Sequence, residues 1–242
     1  MKIVDAIWEK RNLGVTTQEI TLDGNEDIVY VEESLKSLDA EYQVVKVPTG
    51  KIDIMWKLEE LGFKYIETTY HVINDLKNLE LPRMLKRLDE SIIYEKMEDE
   101  DLEVLFDEIR NGLFYTDRIA LDRYFSKKQA ADRYIGWISD EINRGTEIYK
   151  NKYKGKNIGF FTFKEIDEGI YYPFLAGVYK EYQNSPLGML YLYKPLVEAK
   201  KRNGKRVSTY ISTNNANAVR MHVQFGFQFM ESTNVYVKHI NS

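Results

Sequence analysis

Apolar residues recur along this chain at two spacings, and the switches between them mark its elements. Short apolar runs at Ile28 to Val31 and Tyr42 to Val47 read as strands, and Lys51 to Leu61 reads as a helix closed by Gly62. A second strand-like run, FKYIETTYHVI, follows that glycine, so the opening segment reads as a small α/β unit. Between Asn74 and Ser91 the pattern weakens into NDLKNLELPRMLKRLDES, interrupted by Pro82, which pushes its predecessor away from helix. A boundary is expected here, separating a small domain over residues 1–80 from a larger one over residues 88–242.

The larger part opens with a strand from Ser91 to Met97. DEDLEVLFDEIRNG then carries Leu102, Leu105, Phe106 and Ile109 at helical spacing, with acids at its start and Gly112 past its end. Ser126 and Gln129 form a capping-box pattern ahead of the stripe Ala131, Tyr134, Ile135, Ile138 and Ile142, and Gly145 ends that helix. NIGFFTF and IYYPFLAGVY read as neighbouring strands joined by the turn EIDEG. A helix from about Gly188 to Asn203 is expected next, kinked at Pro195, then strand RVSTYI, helix NANAVRMHVQF and strand FMESTNVYVKHI.

Composition narrows the chemistry. The chain has 242 residues, 43% of them hydrophobic, and a formal net charge of −4, which gives no support to general nucleic-acid or membrane-surface binding. It holds no cysteine, which excludes disulfides, thiolate metal sites and a cysteine nucleophile, and His71, His222 and His239 do not form a metal-ligand pattern. No segment has the length and apolarity of a signal peptide or membrane span, so a cytoplasmic protein is expected; its aromatic richness makes self-association to a homo-oligomer plausible.

Two stretches carry candidate chemistry. YQNSPLGML places a glycine where a strand turns into a helix, and backbone amides at such a start can seat a phosphate. N-x-x-A-V-x-x-H-x-x-F-G-F, from Asn215 to Phe227, has a capping asparagine, a closing Gly226, and an apolar helix face that includes His222. Its final corner, GFQFMEST, echoes GFKYIETT upstream, so the opening unit reads as a reduced relative of the later half that lacks the ligand loop.

In combination these features resemble the GNAT superfamily of acyl-CoA-dependent N-acyltransferases. That likeness implies an α/β (α+β) fold with a mixed, mostly antiparallel central sheet flanked by helices. By resemblance, Val178, Tyr179, Gln183, Asn184, Ser185, Pro186, Leu187, Gly188 and Met189 line the acyl-CoA cleft, with Asn215 on the pantetheine arm and Arg220 nearby. Pro186 stands where the family has its first glycine. His222 stands where the family's tyrosine protonates the leaving thiolate. With an unperturbed pKa of about 6.5 against about 10 for tyrosine, His222 is expected either to donate that proton or only to orient the thioester.

The segment FYTDRIALDRYFSKKQAADRYIGWI is similar to one in sugar-nucleotide N-acyltransferases such as TDP-fucosamine acetyltransferase. The narrower likeness implies acylation of a nucleotide-linked (TDP or UDP) amino sugar for surface polysaccharide. Asp117, Arg118, Arg133, Tyr134 and Tyr172 would then bind the acceptor, the arginines holding phosphate. Asp117, Glu181, Tyr172 or a water chain could serve as base. Two other readings stand beside this one: an acyltransferase for a small or protein amine, and a non-catalytic acyl-CoA-binding module.

Overall fold

The computed structural model describes residues 1–81, 83–183 and 185–240. The chain begins with β1 (Lys2–Asp5), α1 (Ile7–Leu13), β2 (Thr17–Thr21), α2 (Ile28–Lys36), β3 (Tyr42–Pro48), α3 (Ile52–Glu60) and β4 (Lys64–Asn74). It continues through α4 (Arg83–Asp89), β5 (Ile92–Lys96), α5 (Asp99–Arg110), α6 (Arg118–Leu121), α7 (Lys127–Asn143), β6 (Glu147–Tyr153) and β7 (Lys156–Asp167). The last elements are β8 (Ile170–Tyr172), β9 (Ala176–Val178), α8 (Tyr193–Lys201), β10 (Arg206–Ser212), α9 (Ala216–Gln224) and β11 (Gln228–His239).

The strands form one mixed, mostly antiparallel sheet in the order β1-β2-β3-β11-β4-β10-β8-β7-β6-β5, with β9 paired to β7. Leu13, Ile119 and Ala130 bring α1, α6 and α7 onto one face, over Val44, Val235 and Val237. Leu196 and Phe225 bring α8 and α9 onto the other, over Val207 and Ile211. Both halves of the chain therefore share a sheet: β4 lies between β10 and β11, and β3 pairs with β11. No helix among the described residues is long and apolar enough to cross a membrane.

Several expected elements take a different form, each for a local reason. Ile28 to Val31 belongs to helix α2, because Asp27 caps the amides of Val29 and Tyr30, and Val31 and Leu35 bury one turn apart. Four apolar residues alone do not distinguish the two periods. The polar stretch before Ser91 contains α4, pinned by buried Leu85. IYYPFLAGVY is two strands, broken at Pro173 to Leu175. Pro186 to Met189 forms a 3-10 turn and α8 begins at Tyr193, so Pro195 sits in a first turn, where amides have no intrahelical acceptor. No kink results.

The echo extends beyond the corner it was read from. β10 starts at 206 against 42 for β3, α9 at 216 against 52 for α3, and β11 at 228 against 64 for β4, a constant interval of 164. Gly62 and Gly226 both close their helices at positive φ, 86° and 74°. Pairing is exchanged between the two sets: β3 joins β11, β10 joins β4, and the two last strands meet with Thr69 opposite its own counterpart, Thr233. An approximate two-fold axis passes through that pair. It places the repeated Glu67-x-Thr69 and Glu231-x-Thr233 along one surface.

Candidate active site

The sheet opens between β10 and the chain that follows β8. β8 meets β10 only through Ile170 and Tyr171, opposite Arg206 and Val207. Past Pro173, whose carbonyl accepts from the Thr209 hydroxyl at 3.2 Å, the chain leaves β10, and β9 pairs with β7 alone. The strands thus splay apart beyond Thr209. The matching parallel pair in the first half, β2 with β3, stays joined along the whole of Thr17–Thr21. A cavity of about 660 Å³ passes through the opening, from Tyr191, Ala218 and His222 on one side of the sheet to Glu67, Asp117 and Trp137 on the other.

Asn215 lines this cavity and caps α9, its side-chain oxygen accepting from the Ala218 amide at 3.0 Å. His222, two turns further on, is 3% exposed; its Nδ1 lies 2.8 Å from the Ala218 carbonyl and its Nε2 has no partner. Only a donor can face that carbonyl, so Nδ1 carries the hydrogen and Nε2 is an acceptor. Burial pushes the imidazole down to about 4, against a weaker upward pull from the same carbonyl. His222 is therefore neutral near pH 7 and has no proton at Nε2 to give. Of the two expected roles, a neutral ring fits orienting the thioester rather than donating to the thiolate.

A stability signature follows. Because His222 titrates lower in the folded chain than in the unfolded one, the stability that burial of the neutral ring permits is present above about pH 6.5. It is lost as pH falls toward 4, by up to about 3 kcal/mol. His222→Phe is expected to flatten that part of a Tm-against-pH curve; an unchanged curve would place the charge elsewhere.

Three amides of the loop expected to seat phosphate are bonded within it. The amides of Gln183, Ser185 and Gly188 donate to Lys180, Tyr182 and Ser185 carbonyls, and the Gln183 side chain donates to the Val178 carbonyl at 3.2 Å. Val178 and Leu187 line a separate small void, and Tyr179 packs into the α5–α7 core. Pro186 is exposed and Met189 is half-buried. Gly188 has a packing reason: a Cβ there would lie 2.9 Å from the Gln183 carbonyl. Asn184 lies outside the described residues. Arg220 points outward, bonded to Asn217, and does not line the cavity.

On the opposite face the structure brings Asp117, Arg118, Arg133, Tyr134 and Tyr172 into one wall. The arginines are not free cations. Arg133 Nε donates to Glu9 at 2.7 Å, and Arg118 pairs with Glu19 and lies 3.6 Å from Glu9, which is fully buried. Although burial pushes the Glu19 carboxyl up, Arg118 and Lys46 hold it down at about 2. Asp117 caps α6 through the Ala120 amide. Tyr172 is pushed up to about 12 by burial, which keeps its hydroxyl protonated, and Glu181 is exposed away from the cavity.

Glu67 is the residue the sequence reading passed over as a site. It is 5% exposed, lines the cavity, and its Oε2 has no hydrogen-bond partner. Burial raises its pKa, opposed by a contact from Ser212 and by the Arg118 charge. A buried carboxylate of raised basicity, with one oxygen unpartnered, beside an opening is a candidate proton acceptor. The signal that could have found it was the echo, since the repeated glutamate had no packing explanation.

No protein-family model matches the chain, and no curated protein matches it. Solved structures do. A GCN5-related N-acetyltransferase from Sphaerobacter thermophilus aligns at TM-score 0.57 and 11% identity over 87% of this chain, which spans 64% of that one. A tandem GNAT protein from the clavulanic acid biosynthesis pathway aligns at 0.55 and 11% over 93% of this chain and 77% of that one. A GCN5-related glucosamine N-acetyltransferase region of a fungal multi-domain GH3 β-N-acetylglucosaminidase aligns at 0.65 and 10% over 92% and 30%. At these identities the likeness establishes the fold.

Proposed function

We propose that the chain is an acyl-CoA-dependent N-acyltransferase acting on a primary amine. The observation that carries this reading is the opening in the sheet between β9 and β10, with Asn215 and His222 on one side and Glu67, one of whose carboxylate oxygens has no partner, on the other. A fold shared with GCN5-related N-acetyltransferases supports it.

The pantetheine arm of acyl-CoA fits between β9 and β10, where strand amides and carbonyls lack a ladder partner and the His222 Nε2 accepts a hydrogen bond. Glu67 takes a proton from the acceptor ammonium. The free amine then attacks the thioester carbon: a C–N bond forms, the C–S bond breaks, the thiolate takes a proton from an acid beside it, and the nitrogen's second proton leaves to solvent, from which that acid is reprotonated. Tyr191 is the phenol on the His222 side of the cavity; burial pushes it up to about 12, so it retains a hydrogen to donate at neutral pH. In this reading the acid is a tyrosine in the turn ahead of α8 rather than His222.

The acceptor suggested by sequence, a nucleotide-linked amino sugar, divides on this geometry. Carboxylates and aromatic rings suit the amino sugar. The phosphates have no evident partner, because Lys46, Arg118 and Arg133 in the wall each face a carboxylate within 4.0 Å. Acyl-CoA at about 100 times its Kd should add about 2.7 kcal/mol of stability, read as a rise in Tm of several degrees. Ala176→Phe, which fills the mouth of the opening, should remove the rise. If it persists in that variant, the arm lies elsewhere.

A further inference from the structure

Charge in the acceptor half of the cavity is unbalanced. Its three cations, Lys46, Arg118 and Arg133, are met by Glu9, Glu19 and Asp117, while Glu67 and Glu231 add two more carboxylates to the wall. Glu67 supplies the independent sign of a ligand: a carboxylate oxygen without a partner, on a residue that is 95% buried and lines the cavity. An unpaired buried carboxylate is costly unless something donates to it. An ammonium or hydroxyl of the acceptor can.

The remaining surface around the two-fold axis is rich in hydroxyls. Thr69 and Thr233 face each other at its centre, and Thr21 stands beside them. Across the cavity Tyr134, Trp137 and Phe174 form a run of rings, with Trp137 at 4.8 Å from Phe174 and 6.4 Å from Tyr134. Ring faces cover the C–H face of a pyranose, and carboxylates and threonines take its hydroxyls. A diphosphate brought here would add negative charge to a wall that already holds an excess of it, where, among the described residues, Lys46, Arg118 and Arg133 each already face a carboxylate.

Resting on the N-acyl transfer proposed above, we infer that the acceptor is a polyhydroxylated amine without phosphate, a free or glycosidically linked amino sugar. It enters as an ammonium: its nitrogen meets Glu67, and its hydroxyl edge meets the threonines and Glu231. Glu231, whose carboxylate lies 2.8 Å from His71 at the mouth, acts as a selectivity residue that disfavours anionic acceptors.

Thiol release from acetyl-CoA tests this with D-glucosamine, its 6-phosphate, a UDP-linked amino sugar and ethanolamine. The inference expects kcat/KM for glucosamine to exceed that for each of the other three by tenfold or more. Glu231→Gln should narrow the gap to the phosphorylated sugar several-fold. A preference for the phosphate or the nucleotide-linked sugar overturns it, and so does ethanolamine reacting as well as glucosamine. If no amine in a wider panel releases thiol while acyl-CoA still raises Tm, the N-acyl transfer itself is wrong, and that outcome is distinct from the others.

Discussion

Glu67→Gln is expected to lower kcat/KM for the amine by about 10² to 10⁴ while leaving the fold intact. The change keeps the side chain's shape and removes its ability to accept a proton. Because the base must be ionised to work, wild-type activity should fall as pH drops through the Glu67 titration, which burial places above the ordinary carboxylate range. The variant should lose that acid limb. Its Tm at neutral pH should be equal or higher, since burial disfavours the charged form that is removed. A variant with normal kcat/KM would pass the base role to another acid of the same wall, such as Asp117.

Arg118→Ala is expected to act on stability first. The guanidinium lies between two carboxylates, Glu19 and fully buried Glu9, and is itself 9% exposed. Removing one member of a buried ionic cluster leaves the others uncompensated, at a cost of about 3 kcal/mol. For a chain of this size that lowers Tm by roughly 10 °C. Breaking Glu19 or Glu9 should have a related effect, and the three should not add, because they belong to one network. An unchanged Tm with a raised KM only for phosphate-bearing acceptors would restore the phosphate-binding role that the sequence suggested for Arg118.

Much of this architecture was legible where the signal is local. Ser126 and Gln129 form the capping box their spacing implies, each side chain meeting the other's backbone amide. Asn215 caps α9, and Gly226 closes it at positive φ. The mixed sheet with flanking helices also followed from periodicity and resemblance together.

What was not legible depends on partners far away in sequence. The arginines of α6 and α7 looked like phosphate ligands because Glu9 and Glu19 sit on α1 and β2, elements that no apolar pattern had marked. Glu67 reaches the cavity only because β4 inserts between β10 and β11. His222 was read with its solution basicity, and burial removes it. The break at Pro173 opens the sheet, yet in sequence it lies inside an unbroken apolar run.

The central claim is that the opening transfers an acyl group to an amine. Amine-dependent release of free thiol from acetyl-CoA tests it most directly, and the chain's lack of cysteine leaves a thiol-reactive dye nothing to report except product. The account predicts steady release that requires both substrates and is lost in Glu67→Gln. Acyl-CoA binding with no amine-dependent release, across free and nucleotide-linked amino sugars and simple amines, would contradict it and leave a binding module in place of an enzyme.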